Sequence, residues 1–305
     1  MAKIKRRSRH EVWVEMKGNK ICYLFAFPYM SLFLVFTVFP VLVSIFFSFT
    51  SFNMLEAPKF IGIGNYFRLL FGDSIFLIAL KNTLVFSLII GPGGYLLSLL
   101  MAWTINELSP KVRALVTLIF YAPSISGNMY LIWSYLFSGD EYGLLNGTLM
   151  NLGVIQAPVL WLKNPQYIMT IVIIVSLWMS LGISFLAFIA GFQGVDRTYY
   201  EAASIDGIKN RWQELWYVTL PIMRPQMMFS AVMSITGAFG VGAVVTGLCG
   251  FPSVDYAAHT IMNHLDDYGG QRFEMGYAST IATFLFLIMI LSNLVVKRLI
   301  AKVGE

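Results

Sequence analysis

The densest group of polar side chains that could do chemistry lies between residues 193 and 224, in a chain that is otherwise strongly apolar. Thr198 and Glu201 have the spacing of a capping box, in which the Thr hydroxyl accepts a backbone amide and the Glu carboxylate reaches back to the cap. They predict a short helix over residues 199–206. Gly207 follows at once and is expected to end this helix, because glycine adopts the left-handed turn without strain.

The residue types of this predicted helix suit contact with another protein. Ala202 and Ala203 are small enough for a second chain to approach closely, and Glu201 and Asp206 offer charged groups as anchors. The pattern therefore favours a docking helix over an active site. An arbitrary amphipathic loop is the alternative interpretation.

A second amphipathic segment follows the predicted helix. One face of it carries Ile208, Trp212, Leu215 and Thr219. Leu220 and Pro221 are expected to stop this segment and to begin the next apolar helix, because proline lacks the amide that a continuing helix needs.

Hydroxyl groups and one indole inside two apolar runs form a further set of candidates. They are Trp178, Ser180, Ser184, Ser230, Ser234 and Thr236. Ser230, Ser234 and Gly237 recur at the spacing of one helix face. A polar solute crossing an apolar pathway needs hydrogen bonds and aromatic faces of this kind, which makes these residues candidates for a substrate path. Small residues on one face also pack helices together, so both interpretations stay open.

Catalytic and metal-binding patterns are missing from the sequence. It contains no nucleophile elbow, no HExxH motif and no Walker-type glycine loop. His259 and His264 lie near Asp266 and Asp267, but their spacing matches no standard zinc pattern, and a polar external loop explains them better. We therefore expect a chain that is not an enzyme and that holds no metal or cofactor of its own.

The composition indicates what must position these residues. Hydrophobic residues make up 57% of the 305 positions and charged residues only 12%, well below the roughly 25% charged residues of soluble domains. Charge-free runs long enough to cross about 30 Å of hydrocarbon cover residues 21–55, 82–106, 114–139, 164–195, 225–254 and 275–296. They predict an all-α integral membrane protein with six transmembrane helices, and residues 142–162 are too polar to be a seventh.

The basic residues predict the orientation. Most of the 21 lysines and arginines fall in segments that are internal when the N-terminus lies inside, as the positive-inside rule requires. We expect a basic cytoplasmic N-terminus at residues 1–20, a six-helix domain at 21–300 with an internal loop at 193–224, and a cytoplasmic tail at 301–305. A basic flank of a membrane helix is favoured over a nucleic-acid-binding tail, so no nucleic acid partner is expected.

The loop also resembles a known motif. The string Tyr200-Glu-Ala-Ala-Ser-Ile-Asp-Gly207, followed by Val218-x-Leu220-Pro221, is similar to the EAA loop of ABC importer permeases. It resembles in particular the carbohydrate-uptake branch, which includes maltose, lactose and glycerol-3-phosphate permeases. Two departures stand out: ten residues separate Gly207 from Val218, where that family usually has nine, and Gly240 stands where it often has Asp.

The resemblance implies a type I ABC importer permease fold with both termini inside. In that family the loop docks on an ATPase subunit, and the corresponding coupling residues here are Tyr200, Glu201, Ala202, Ala203, Asp206, Gly207, Leu220 and Pro221. The implied partners are a second homologous permease in a heterodimer, two ATPase subunits that bind ATP and Mg, and an extracytoplasmic sugar-binding protein. The implied location is a bacterial-type inner membrane.

Two other functions were weighed against an importer of a sugar or oligosaccharide: an ion-coupled secondary transporter and an intramembrane enzyme. Glu107 is the acidic residue nearest to a predicted span end, and the charge-free runs supply no buried Asp or Glu for a proton relay. This absence argues against both alternatives.

Overall fold

Six apolar segments organise the chain, for which the computed structural model describes residues 18–301. The predicted basic segment up to residue 17 and the tail from residue 302 onward lie outside the described residues. Four helices are long and apolar enough to cross a membrane, namely Ile21–Phe47, Ser74–Asn106, Pro165–Gln193 and Met275–Ile300. Two bent helix pairs within the described residues bring the number to six if each pair is one span: Pro110–Ile125 with Tyr130–Leu136 at 86°, and Arg224–Phe239 with Gly242–Cys249 at 41°. Each predicted apolar run coincides with one of these six.

The first span is shorter than the sequence predicted. Helices α1 (Lys20–Phe33) and α2 (Phe39–Phe47) are joined by a π-helical turn, Leu34–Val38. The turn precedes Pro40, whose ring and missing amide disfavour a regular helix in the turn before it. The span ends at Phe47 because the chain then forms a hairpin in which β1 (Thr50–Ser51) pairs antiparallel with β2 (Lys59–Phe60).

The hairpin leads into the second span, which begins earlier than predicted. Helix α3 (Gly64–Phe67) and a π-helical turn (Arg68–Gly72) precede α4 (Ser74–Asn106). Asp73 caps α4 by accepting the amide of Phe76 at 2.9 Å. Lys81 is exposed within α4, so the charge-free criterion had placed the start of the span eight residues too late.

The third span breaks near its C-terminal end, and a short folded segment follows, on the side predicted to be external. Helices α5 (Pro110–Ile125) and α6 (Tyr130–Leu136) are followed by α7 (Leu144–Asn151). The buried amide of Asn146 organises this segment by accepting the Val159 amide and the Trp161 indole N–H, at 3.1 and 2.8 Å. Residues 142–162 thus contain one short helix rather than a seventh span.

The remaining helices complete the bundle. The fourth span consists of α8 (Pro165–Met179) and α9 (Ile183–Gln193), and the fifth of α13 (Arg224–Phe239) and α14 (Gly242–Cys249). Between them lie α10 (Arg197–Ile205), α11 (Arg211–Glu214), a π-helical turn (Leu215–Thr219) and α12 (Leu220–Ile222). After a 3₁₀ turn (Val254–Tyr256) come α15 (Ile261–Asp266), a π-helical turn (Asp267–Gln271) and α16 (Met275–Ala301).

Helix α4 is the central helix of the bundle. It packs along α13, α9 and α8, while α13 also packs on α16, which in turn contacts α2. Three apolar clusters follow the bundle axis, around Phe188 near the loop 193–224, around Val172 in the middle, and around Phe76 at the opposite end. The side chains of the first span are largely exposed, as lipid contact requires.

Candidate functional site

The predicted docking helix is present, although a different residue caps it. Helix α10 begins at Arg197, and the carboxylate of Asp196 accepts the amide of Thr198 at 3.0 Å. This hydrogen bond lowers the pKa of Asp196. The capping box predicted at Thr198 and Glu201 was therefore wrong: Asp196 precedes Thr198, and a carboxylate at a helix N-terminus also gains from the helix dipole. Gly207 has φ +93°, which confirms the predicted left-handed turn.

The two alanines of α10 differ in exposure. Ala203 is 7% exposed and packs within this chain, whereas Ala202 is exposed. The expectation that both alanines face a second protein is corrected for Ala203, because the helix face cannot be read from two adjacent alanines. Glu201 and Asp206 are exposed, as an anchoring role needs.

Other residues of the motif hold the loop together. The hydroxyls of Tyr200 and Thr219 lie 2.9 Å apart, and Thr219 donates to the carbonyl of Glu214 at 3.2 Å. Leu220 is buried in the apolar cluster beneath the loop. Tyr200 and Leu220 thus fix α10 onto the segment that follows it.

The second segment does not end at Leu220 and Pro221, contrary to the prediction. A π-helical turn over Leu215–Thr219 carries the helix up to α12, which runs through Pro221 to Ile222. The wider turn accommodates the proline ring, as in the first span. At the start of the segment, Asn210 caps α11 by accepting the amide of Gln213 at 2.9 Å.

A water-accessible cleft of about 640 Å³ separates α10 and α11 from the end of α4. Its walls carry charges of both signs, from Glu107, Arg113, Arg197, Glu201, Arg211 and Glu214. Arg211 lies 3.0 Å from Glu107 and 3.0 Å from Glu214, and these contacts raise the pKa of Arg211. This cleft could not be predicted from local sequence patterns, because Glu107 is far from the loop along the chain.

A second cavity of about 470 Å³ opens where the fourth span breaks. Gly182, between α8 and α9, has φ −111° and ψ −130°, which interrupts the helix. The cavity is lined by four of the predicted path residues, Ser180, Ser184, Ser234 and Thr236. None of the described residues that line it is charged.

The other two predicted path residues lie elsewhere. Ser230 and Ser184 exchange two hydrogen bonds at 3.1 Å, each hydroxyl donating to the other's carbonyl, which joins α13 to α9. Ser230 therefore serves helix packing in the described structure. The Trp178 ring packs edge-on against Trp133, with centroids 5.5 Å apart, and does not line the cavity.

The sequence reasoning missed Ser176, which also lines the cavity. Its side chain is 7% exposed, and its hydroxyl has no hydrogen-bond partner. The serine spacing could have predicted this position, because Ser176, Ser180 and Ser184 recur every four residues on one helix face. A buried hydroxyl without a partner carries a desolvation penalty unless something binds it.

The opposite, predicted external end holds a buried polar network. Asp73 accepts the hydroxyl of Tyr277 at 2.8 Å and lies 3.0 Å from Nε2 of His264. Burial alone would raise the pKa of Asp73, but the Phe76 amide, Tyr277 and His264 together lower it. Burial lowers the pKa of His264 in spite of the adjacent carboxylate.

The burial of His259 and His264 contradicts the prediction that these histidines belong to a polar external loop. His259 and His264 are both 98–99% buried, at 2% and 1% exposure, and their rings lie 5.7 Å apart. Within residues 18–301, no group of three or more His, Cys, Asp or Glu side chains is arranged to hold a metal ion. Asp73 was not singled out from the sequence, because its partners lie about two hundred residues away.

Comparison with known proteins gives a consistent result. Residues 94–305 match the family described as "Binding-protein-dependent transport system inner membrane component". The chain is 33% identical to the Bacillus subtilis (strain 168) protein named "Probable ABC transporter permease protein YesP", over 92% of this chain and 90% of the relative. It is 31% identical to the lactose transport system permease protein LacF of Rhizobium radiobacter, over 70% of this chain and 71% of that protein.

The fold also matches solved structures. A chain of the crystal structure of a bacterial ABC transporter that imports the acidic polysaccharide alginate superposes with a TM-score of 0.75 at 24% identity, covering 97% of this chain and 100% of that one. The alginate transporter in complex with a pentasaccharide-bound periplasmic protein gives a TM-score of 0.77 at 24% identity, over 96% and 98% of the two chains.

Proposed function

The chain belongs to the family of binding-protein-dependent transport system inner membrane components, and from this premise we propose that it carries a sugar or oligosaccharide across the membrane. It is a multi-pass permease subunit of an ABC importer and not itself an enzyme. The secondary transporter and the intramembrane enzyme are not favoured.

The hydroxyl-lined cavity at the break of the fourth span carries the sugar proposal. Ser176, Ser180, Ser184, Ser234 and Thr236 surround it without a charged side chain among the described lining residues. Hydroxyls can both donate and accept hydrogen bonds, which matches the hydroxyls of a neutral sugar. The hydroxyl of Ser176 is buried in the wall of this cavity and has no hydrogen-bond partner among the described residues, and we propose that it turns toward such a ligand. Trp178 and Ser230 then act by supporting this region.

The names of relatives support the same substrate class. LacF is a lactose permease, and AraP of Bacillus subtilis (strain 168), 29% identical over 91% of this chain, is named for arabinooligosaccharides. A sugar of one to a few residues is the substrate that these relatives and the cavity together favour.

The loop 193–224 couples the permease to its energy source. Exposed Glu201, Ala202 and Asp206 form the face of α10 that meets an ATPase subunit, and Gly207 sets the turn after it. ATP and Mg are bound by two such ATPase subunits, while a second homologous permease completes the pathway. An external binding protein delivers the sugar to the side where the Asp73 network lies.

Reconstitution tests this function. The chain, a second permease and the ATPase are placed in liposomes with the binding protein, and uptake of radiolabelled lactose and arabinotriose is measured with and without Mg-ATP. We expect uptake of at least one sugar that requires both ATP and the binding protein. Uptake driven by a proton or sodium gradient without ATP would identify a secondary transporter instead.

Ser176→Ala serves as the site test, with Ser134→Ala as its control. Ser134 is a hydroxyl of the third span that lies outside the cavity lining and donates to its own helix. Loss of the Ser176 hydroxyl should weaken uptake by roughly two- to tenfold, the value of about one hydrogen bond.

Labelling of single cysteines placed at Lys209 and Lys163 tests the orientation, with position 209 inside and position 163 outside.

A further inference from the structure

Helix α4 reaches from the sugar cavity to the docking loop. Ile90 lines the cavity, and Trp103 and Glu107 line the cleft beneath the loop. Glu107 follows Ile90 by seventeen positions, which is about 26 Å along a helix. Pro92 lies in this stretch, yet α4 continues through it as one element.

Two contacts join the end of α4 to the second segment of the loop. The guanidinium of Arg211 pairs with Glu107 at 3.0 Å, and the rings of Trp103 and Trp212 lie 4.6 Å apart. Glu107, Arg211 and Trp103 line the charged cleft, so both contacts involve its walls. Arg211 also pairs with Glu214 on its own helix, which holds the guanidinium in line with α4.

The end of α4 is itself fixed to the next helix. Arg113 donates to the side-chain oxygen of Asn106 at 3.0 Å and to its carbonyl at 3.3 Å. The guanidinium therefore satisfies groups at the C-terminus of α4, where cations are favoured. Because the end of α4 is fixed in this way, a displacement of Glu107 would move α4 as a rigid body instead of being absorbed by a flexible turn.

The other end of the stretch touches the cavity wall closely. A Cβ atom added to Gly94 would lie 2.8 Å from Cβ of Ser180, and one added to Gly91 would lie 3.8 Å from Cβ of Ala238. Close packing transmits small movements, because such interfaces cannot be compressed. Any shift of α4 along its axis therefore moves the wall that carries Ser180.

We propose that Arg211, through Glu107 and the Trp103–Trp212 contact, positions the docking loop against α4, so that movement of the loop is passed to the sugar cavity. This inference rests on the proposed function, in which an ATPase moves the loop. Arg211 is a positioning residue, since it touches neither sugar nor nucleotide. Its side chain is 65% exposed, and such pairs contribute little to stability. The contact can therefore break and re-form without unfolding.

Charge reversal in the full assembly tests the inference. Glu107→Arg, Arg211→Glu and the paired reversal are compared in liposomes, using lactose or arabinotriose, whichever sugar the wild-type assembly carries. The measured quantity is sugar carried per ATP hydrolysed. Lys111→Glu is the matched control, because Lys111 is an exposed inner-side charge that lines no part of the cleft.

Each single reversal should lower this ratio about threefold or more, the scale of coupling between contacting charged groups. The paired reversal should recover at least half of the wild-type ratio, although its contact to Glu214 is lost. Thermal stability of the purified assembly and retention of the ATPase should stay unchanged, and Lys111→Glu should resemble the wild type.

The outcomes separate the inference from the function on which it rests. Normal coupling in both single variants, or a paired reversal as impaired as the worse single one, would overturn the positioning role. Loss of the ATPase from the single variants would overturn it too, because the defect would then be one of docking. A wild-type assembly without ATP-dependent uptake would instead refute the proposed function, and the inference with it.

Discussion

The two ends of α4 are held in opposite ways. At its N-terminus, Asp73 is buried in hydrogen bonds with His264 and Tyr277. At its C-terminus, Glu107 meets Arg211 across an open cleft. Removing the partner of a buried polar group strongly destabilises a fold, whereas an exposed ion pair contributes little to its stability. The difference indicates a fixed end on the predicted external side (the outer end) and a releasable end on the predicted cytoplasmic side (the inner end), which suits a helix that responds to the proposed partner on one side only.

Removing Asp73 should produce the largest effect and would sharpen this contrast. Asp73→Ala deletes the cap of α4 and leaves the Tyr277 hydroxyl and a buried imidazole without a partner. We expect a loss of about 2–4 kcal/mol in the free energy of unfolding, from the cap and the unsatisfied groups together. The measurement is the unfolding midpoint of the purified chain in detergent.

Glu56→Ala is the control for Asp73→Ala. Glu56 pairs with Lys59 at 2.9 Å, and both side chains are exposed, so its removal should change stability by less than about 1 kcal/mol. Equal effects of the two variants would mean that the outer network does not fix α4, and the contrast between the two ends would disappear.

The two alanines of α10 give the next effect in size. Ala203→Trp forces a large ring into a packed site and should destabilise the chain by about 1–3 kcal/mol. Ala202→Trp adds the same ring to an exposed position and should leave the unfolding midpoint near that of the wild type. Binding of the ATPase, measured by copurification, should fall in both variants. A stability loss confined to Ala202→Trp would reverse the assigned faces.

Much of this architecture could be predicted, because its causes are local. Apolar runs long enough for hydrocarbon gave the four spanning helices and the two bent pairs, and the residues from Glu201 to Gly207 predicted helix α10 and the turn that ends it. The failures arose where a feature depends on distant residues. Asp73 meets partners 191 and 204 residues away, and the burial of Ala203 depends on the segment beneath α10. Ser176 was different, since its four-residue spacing with Ser180 and Ser184 was visible from the start.

Acidification should give a smaller and graded effect at the outer end. Burial and the neighbouring His264 lower the pKa of His259 to about 4, although Asp267 and Asp73 act in the opposite direction. The pKa of this histidine is lower in the folded chain than in the unfolded chain, where it is about 6.5. Its contribution to stability is therefore fully present at pH values above about 6.5. This contribution is lost as the pH falls from about 6.5 toward 4.

The pH effect is checked by following the unfolding midpoint between pH 7 and pH 4. His259→Phe keeps an aromatic ring against Phe251 and Tyr256 and should make the profile shallower over this range. Buried His264, whose pKa is also lowered by burial, should supply part of the remaining slope. An unchanged profile in His259→Phe would assign the acid sensitivity to another group.

The smallest effect on stability is expected at Gly207. This residue has φ +93°, and nothing lies within 4 Å of the position that a Cβ would take. A substitution there meets no neighbour, so its whole effect comes from backbone strain. Gly207→Val should raise the local free energy by roughly 1–2 kcal/mol, because a β-branched residue resists positive φ. Since α10 lies at the open inner end, this strain should be relieved by local opening, and the global unfolding midpoint should barely move.

Hydrogen exchange separates such local opening from global unfolding. Gly207→Val should accelerate exchange of the amides of α10 while leaving those of α4 and α16 protected. Gly194→Ala is the matched control, because Gly194 ends α9 with an ordinary φ of −83° and tolerates a methyl group without strain. Faster exchange throughout α4 in Gly207→Val would show that the inner end is not independently released, and that the two ends of the helix are held alike.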